Sequence, residues 1–151
     1  MVEIREFRED DEEWIRREWK ESQLEYFGRI SQEVLNDAIE YTEKVLQNDL
    51  LHISQKWKSP SVFLVAEEDG NPLGTIAVRI KEDDHKTAEI QRLFTLVSAR
   101  GKGVASKLVD YCESWIRESN CTKIVIETTA LQVQAANMYL RRGYQVTHVG
   151  K

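Results

Sequence analysis

Cysteine is scarce in this 151-residue chain, which holds only Cys112 and Cys121. Two thiols cannot form a disulfide framework, and their spacing is not that of a zinc knuckle. Both are read as thiols packed as small hydrophobes. The three histidines, His52, His85 and His148, have no metal-ligand spacing, so no metal centre is expected. Proline (two) and glycine (seven) are also few, in a chain 41% hydrophobic and 31% charged. That balance excludes fibrous and low-complexity architectures. No run approaches the ~18 apolar residues that cross a bilayer, and Met1-Val2-Glu3-Ile4-Arg5 lacks the apolar centre of a secretory signal. No membrane partner is expected, and the cytoplasm is the expected compartment. The length suits one domain over residues 1–151.

Clustered positive charge is missing as well. The net charge is −5, and residues 1–60 hold 15 acids against 9 bases, whereas residues 61–151 hold 11 against 12. A nucleic-acid partner is therefore not expected, because its backbone is gripped by grouped Lys and Arg. The acidic first part suits a cationic substrate, but it suits better the solvated faces of two amphipathic helices.

What is present is a clear alternation of elements. Residues 2–7 alternate apolar and charged side chains, the period of a half-buried strand. Asp10-Asp11-Glu12-Glu13 suits the first turn of a helix that continues through Trp14, Trp19, Leu24 and Tyr26 and closes at Phe27-Gly28. A second helix begins near Ser31, carries Val34, Leu35, Ala38, Tyr41, Val45 and Leu46 at helical spacing, and ends near Leu50. Two apolar runs, 62–66 and 73–80, flank a turn with Gly70, Asn71 and Pro72 at its tip and predict an antiparallel hairpin. A long strand is expected over 88–97. From Gly101 the pattern becomes helix, strand (124–126), helix, then strand (144–149), and such units need parallel crossovers. The fold class is thus α/β, a mixed sheet with antiparallel strands first and parallel ones after, and about four helices.

Two segments carry chemistry. Arg100-Gly101-Lys102-Gly103-Val104-Ala105 sits between a strand and a helix, where two glycines allow a tight turn that aims backbone amides at one anion. A diphosphate would suit it, with Arg100 and Lys102 adding charge. The pattern is neither a dinucleotide fingerprint nor a P-loop, and an unliganded turn explains a lone Gly-x-Gly as well. The second segment runs from Gln132 to Tyr144, with Gly143 as a helix C-terminal cap and Tyr139 one turn earlier. Tyr139 alone reads as a core aromatic.

Together, Arg-x-x-Gly-x-Ala after a strand and Ala-x-x-x-Tyr-x-x-x-Gly-Tyr some thirty residues later resemble the GNAT superfamily of acetyl-CoA-dependent N-acetyltransferases. The order of elements agrees over nearly the whole chain. The resemblance implies acetyl-CoA as co-substrate and no metal. It also implies pantetheine contacts along the backbone of Leu93, Phe94 and Thr95, and a pyrophosphate loop of Arg100, Gly101, Lys102, Gly103, Val104 and Ala105. Gln132 stands where the family commonly has Asn contacting the cofactor. Tyr139 stands at the position of the general acid that protonates the departing thiolate. Family members often carry Val at the Thr95 position and Pro before the loop, and both are absent here. The family fold usually ends in a two-strand hairpin. With Lys151 as its end, the chain is expected to lack the last strand or to receive it from another chain, so a homodimer is possible.

Amide formation also needs a group that takes a proton from the attacking amine. Glu89 lies six residues before Thr95, where a catalytic glutamate occurs in the histone-acetylating branch of the superfamily. Strand alternation would put it on one face with Gln91, Leu93 and Thr95. It also reads as a solvated cross-strand partner. Glu127, after the next strand, is the reserve base. The amine acceptor, a small molecule or a protein amine, is not named by the sequence. A coenzyme A-binding module without catalysis and an enzyme for another acyl-CoA are the competing functions.

Overall fold

The computed structural model describes residues 1–28, 32–48, 50–127 and 133–147. Its strands are β1 (Glu3–Glu6), β2 (Val62–Glu68), β3 (Asn71–Ile80), β4 (Thr87–Thr95) and β5 (Lys123–Ile126). Its helices are α1 (Glu12–Gly28), α2 (Gln32–Asn48), α3 (Ile53–Lys56), α4 (Val104–Arg117) and α5 (Val133–Arg141). The described strands form one sheet in the order β1-β2-β3-β4-β5. The first three pairings are antiparallel and β4 with β5 is parallel. This is the mixed sheet that the sequence implied. No described helix is long and apolar enough to cross a membrane.

The run Val62-Phe63-Leu64-Val65-Ala66 is fully apolar because β2 is covered on both faces. Val62, Leu64 and Ala66 join Ile76, Val78, Ala88 and Ile90 beneath Leu108, Val109, Cys112 and Ile116 of α4. Phe63, Val65 and Ala77 meet Ile15 and Trp19 of α1, Val45 and Leu46 of α2, and Ile53 and Trp57 around α3. Two cores therefore sandwich the sheet. Cys112 is fully buried, and burial, with Glu113 adding to it, pushes its thiol up to about 12, so it packs as a hydrophobe.

Several expectations need correction. The hairpin tip is Asp69-Gly70, whose positive φ values of 52° and 80° make a two-residue turn. Asn71 and Pro72 already belong to β3, with a register shift beside Pro72, which cannot donate to the ladder. On α2 it is Thr42 that is buried, while Tyr41 is 52% exposed. β4 stops at Thr95, and residues 97–99 form a 3-10 turn. The strand expected over 144–149 is not formed in its described part, residues 144–147, and residues 148–149 lie outside the described residues. The reason is local. Gly143 at φ 97° donates to the Leu140 carbonyl and the Tyr144 amide donates to that of Tyr139, so Tyr144 completes a Schellman cap. Its ring meets Tyr139 edge-on at 5.7 Å and its hydroxyl bonds Glu113 at 3.2 Å. The edge on which a homodimer was expected to form is thus not a strand where it is described.

The junction of β1 and α1 is held by Asp11, which is 4% exposed. It takes both arms of the Arg5 guanidinium at 2.8 Å, the Arg8 amide at 2.8 Å and the Trp14 indole at 2.9 Å. Burial opposes its charge, but these donors outweigh burial and hold its carboxyl below the ordinary 3.8. A depressed carboxyl stabilises the fold above its unfolded pKa, and that stability is lost as pH falls through the folded value. Asp11→Asn is expected to cost about 2 kcal/mol at pH 7, since it takes from Arg5 its two-armed carboxylate partner and leaves it only Glu67, at 2.9 Å. In denaturant titrations the gap to wild type should shrink below about pH 4. A pH-independent gap would remove this ion pair as its source.

Candidate active site

One extra residue in β4 shapes the functional end of the sheet. Thr75 pairs with Phe94 but Ala77 pairs with Gln91, so β4 carries a bulge between them. Arg92 takes it up in the left-handed region at φ 54°. Two β3 residues accommodate it. The hydroxyl of fully buried Thr75 donates to the Arg92 carbonyl at 2.8 Å. Gly74 leaves room for the Phe94 carbonyl oxygen, which an added Cβ would meet at 2.6 Å.

The bulge inverts the alternation of β4 and corrects one expectation. Leu93 packs on the α4 side, whereas Phe94 is buried on the side of α1 to α3. Glu89 and Gln91 face the second side, where the Trp57 indole meets Gln91. Glu89 therefore does not share a face with Leu93 and Thr95. The parallel pairing of β4 with β5 ends at Ile90 and Ile126, just before the bulge. From residue 91 to 95, β4 is paired with β3 alone among the described residues, β5 having ended at Ile126.

The Arg100 to Gly103 turn links the 3-10 turn after β4 to the start of α4. Gly101 and Gly103 have φ values of 82° and 72°, in the region that favours glycine. The amides of Arg100 and Lys102 are used within the turn, at 3.2 and 3.3 Å. No side chain caps α4 at Gly103, so the amides of its first turn point outward with their partial positive charge. A Cβ at either glycine would meet nothing within 4 Å, so the cradle is open. Arg100 and Lys102 are exposed beside it, Val104 is buried and Ala105 half-buried.

Tyr139 is 6% exposed and packs in the α4-side core with Val104 and Leu93. Burial, aided by Cys112 and Tyr144, pushes its hydroxyl above the ordinary 10, so it keeps its proton through the physiological range. Arg142 fixes α5 to α4 through Glu113 and Asp110. Ala99 and Val104, which flank loop 100–103, thus share the α4 side of the sheet with Leu93 and Tyr139, and Glu89 lies on the other side. Glu127 is exposed just past β5. Gln132 lies outside the described residues.

Residues that sequence reading passed over complete the site. Gly74 inside a strand did carry a signal, since such a glycine marks a bulge or a close backbone approach. Thr75 and Trp57 carried none. Part of the acidic excess of residues 1–60 is structural: Asp11 holds Arg5, Glu12 accepts the Ile53 amide at 3.0 Å, and Glu43 meets Lys20 at 3.0 Å.

A family model described as Acetyltransferase (GNAT) family matches residues 29–144. N-acetyltransferase 8B of Rattus norvegicus is 33% identical over 112 residues, which are 71% of this chain and 50% of that protein. N-acetylaspartate synthetase of Homo sapiens is 35% identical over 112 residues, 73% of this chain and 36% of that protein. The chain spans half or less of the length of these curated relatives. The solved structure of PaiA N-acetyltransferase from Thermoplasma acidophilum, in complex with coenzyme A, matches with a TM-score of 0.78. The two are 20% identical, and the match covers 99% of this chain and 93% of that one.

Gly74→Ala tests whether β3 sets the course of β4. Its methyl group must displace the Phe94 peptide, at a cost of about 1–3 kcal/mol, the scale of overpacking. The amide resonances of residues 92–95 should move in a nitrogen–proton correlation spectrum. Unchanged resonances there would show that the bulge does not depend on Gly74.

Proposed function

Because the chain belongs to the GNAT acetyltransferase family, we propose that it transfers the acetyl group of acetyl-CoA to a primary amine by direct attack. The observation that carries this reading is the open glycine turn at the uncapped N-terminus of α4, with Leu93 of β4 and a proton-holding Tyr139 in the core beside Val104.

The residues fit the donor. The uncapped α4 N-terminus and its open glycine turn suit a pyrophosphate, with Arg100 and Lys102 adding charge. The backbone of Leu93, Phe94 and Thr95 would line the pantetheine arm, since this part of β4 lies beyond its pairing with β5. Val104 and Ala105 contribute first-turn amides. Acetyl-CoA supplies the activated acyl group as a thioester.

The chain's own groups then divide the proton work. Glu89 accepts a proton from the acceptor ammonium or amine, directly or through water. The amide of Thr95 or a neighbour donates to the carbonyl oxygen as negative charge develops there. The Tyr139 hydroxyl gives its proton to the departing sulfur. Base and acid lie on opposite sides of the sheet, so a proton taken on one side is matched by one delivered on the other.

The name of the human N-acetylaspartate synthetase points to an amino-acid amine as its acceptor, so amino acids head the panel of acceptors for this chain. Simple alkylamines, polyamines and peptide N-termini complete it.

Two variants test the reading. Gly103→Asp puts a carboxylate beside the cradle and should weaken acetyl-CoA binding, read by calorimetry, by about 100-fold or more. Wild-type affinity would remove the phosphate assignment. Tyr139→Phe keeps the ring that Tyr144 packs on. It should leave acetyl-CoA affinity unchanged and lower turnover by ~10²-fold, with a stability change of at most ~1.5 kcal/mol. Full turnover would return Tyr139 to a purely packing role.

A further inference from the structure

Glu89 is not an isolated side chain. Its Oε1 accepts a hydrogen bond from Gln91 Nε2 at 3.0 Å, and Gln91 Oε1 accepts one from the Trp57 indole at 3.2 Å. An indole N–H can only donate, so the Gln91 amide must turn its oxygen to Trp57 and its NH2 to Glu89. Trp57 is itself 4% exposed. Phe63 meets it edge-on at 5.1 Å, and the Arg79 guanidinium lies 4.8 Å from its ring centre. The short helix α3, which Trp57 follows directly, is anchored by Glu12, whose carboxylate takes the Ile53 amide.

The charged groups around Glu89 do not explain this arrangement as a simple ion pair. Arg79 is its register partner on β3, yet the hydrogen bond of Glu89 goes to Gln91. Lys123 and Glu127 flank the ends of β5, and Arg92 follows on β4. We propose that Gln91 and Trp57 are positioning residues for Glu89. They hold one carboxylate oxygen so that the other faces the acceptor amine or its bridging water. This rests on the reading of Glu89 as the base.

The test is a double-mutant cycle on the chain as it stands, using acetyl-CoA and the best amine of the panel. Rates are normalised to acetyl-CoA sites counted by calorimetry, which removes any loss of folded protein. Gln91→Met should lower kcat about tenfold, the scale of one hydrogen bond to a charged group, at unchanged KM for acetyl-CoA. Trp57→Phe, which removes the donor but keeps an aromatic ring, should lower kcat in the same direction and probes the link from its other end. In a Glu89→Gln background, adding Gln91→Met should change kcat by less than about twofold, because the residue it acts through is gone. A full tenfold loss in that background, or wild-type kcat in both single variants, overturns the proposal. Wild-type kcat in Glu89→Gln alone marks the failure of the base assignment itself, and the proposal falls with it.

Discussion

The bulge that Arg92 introduces into β4 costs about 1 kcal/mol of left-handed backbone strain, and β3 holds it in place. Gly74 gives the Phe94 carbonyl its space and Thr75 bonds the Arg92 carbonyl, so neighbouring positions of one strand stabilise the irregularity of the next. The parallel pairing with β5 covers residues 87–90 of β4 and stops just before the bulge. That single inserted residue turns Leu93 to the α4 side with Tyr139, away from Glu89 and Gln91.

The two cores give the site its rigidity. On one face α4 carries the cradle at its N-terminus and is bound to α5 through Arg142, Glu113 and Asp110, while the Schellman cap seats Tyr139 against Tyr144. On the other, the Asp11 network fixes the start of α1, and Glu12 passes that order to α3 and so to Trp57. Polar contacts in this molecule are concentrated at joints between elements, where a backbone or side-chain donor is buried and must be satisfied.

Much of the fold was legible because its signals are periodic or rest on backbone-permissive residues. The doubly apolar β2, the amphipathic α4 and the glycines at 101, 103 and 143 each announce their conformation. Gly74 hinted at a bulge, but its place on β4 was not legible, since an arginine in the left-handed region has no sequence mark, and its consequence, the inversion of facing after residue 91, overturned the grouping of Glu89 with Leu93. The strand expected after Gly143 failed for a related reason. Tyr144 has strand propensity, but its ring and hydroxyl find partners in Tyr139 and Glu113, and tertiary contacts override propensity. Trp57 and Gln91 are 34 residues apart, and nothing local connects them.

Catalysis by this chain is tested most directly by thiol release. Acetyl-CoA is incubated with the protein and each member of the amine panel, and free coenzyme A thiol is followed against the same mixture without amine. The account predicts amine-dependent release that saturates in both substrates and yields one acetylated amine per thiol. Tight acetyl-CoA binding with no amine-dependent release from any member of the panel would contradict it and leave a coenzyme A-binding module in its place.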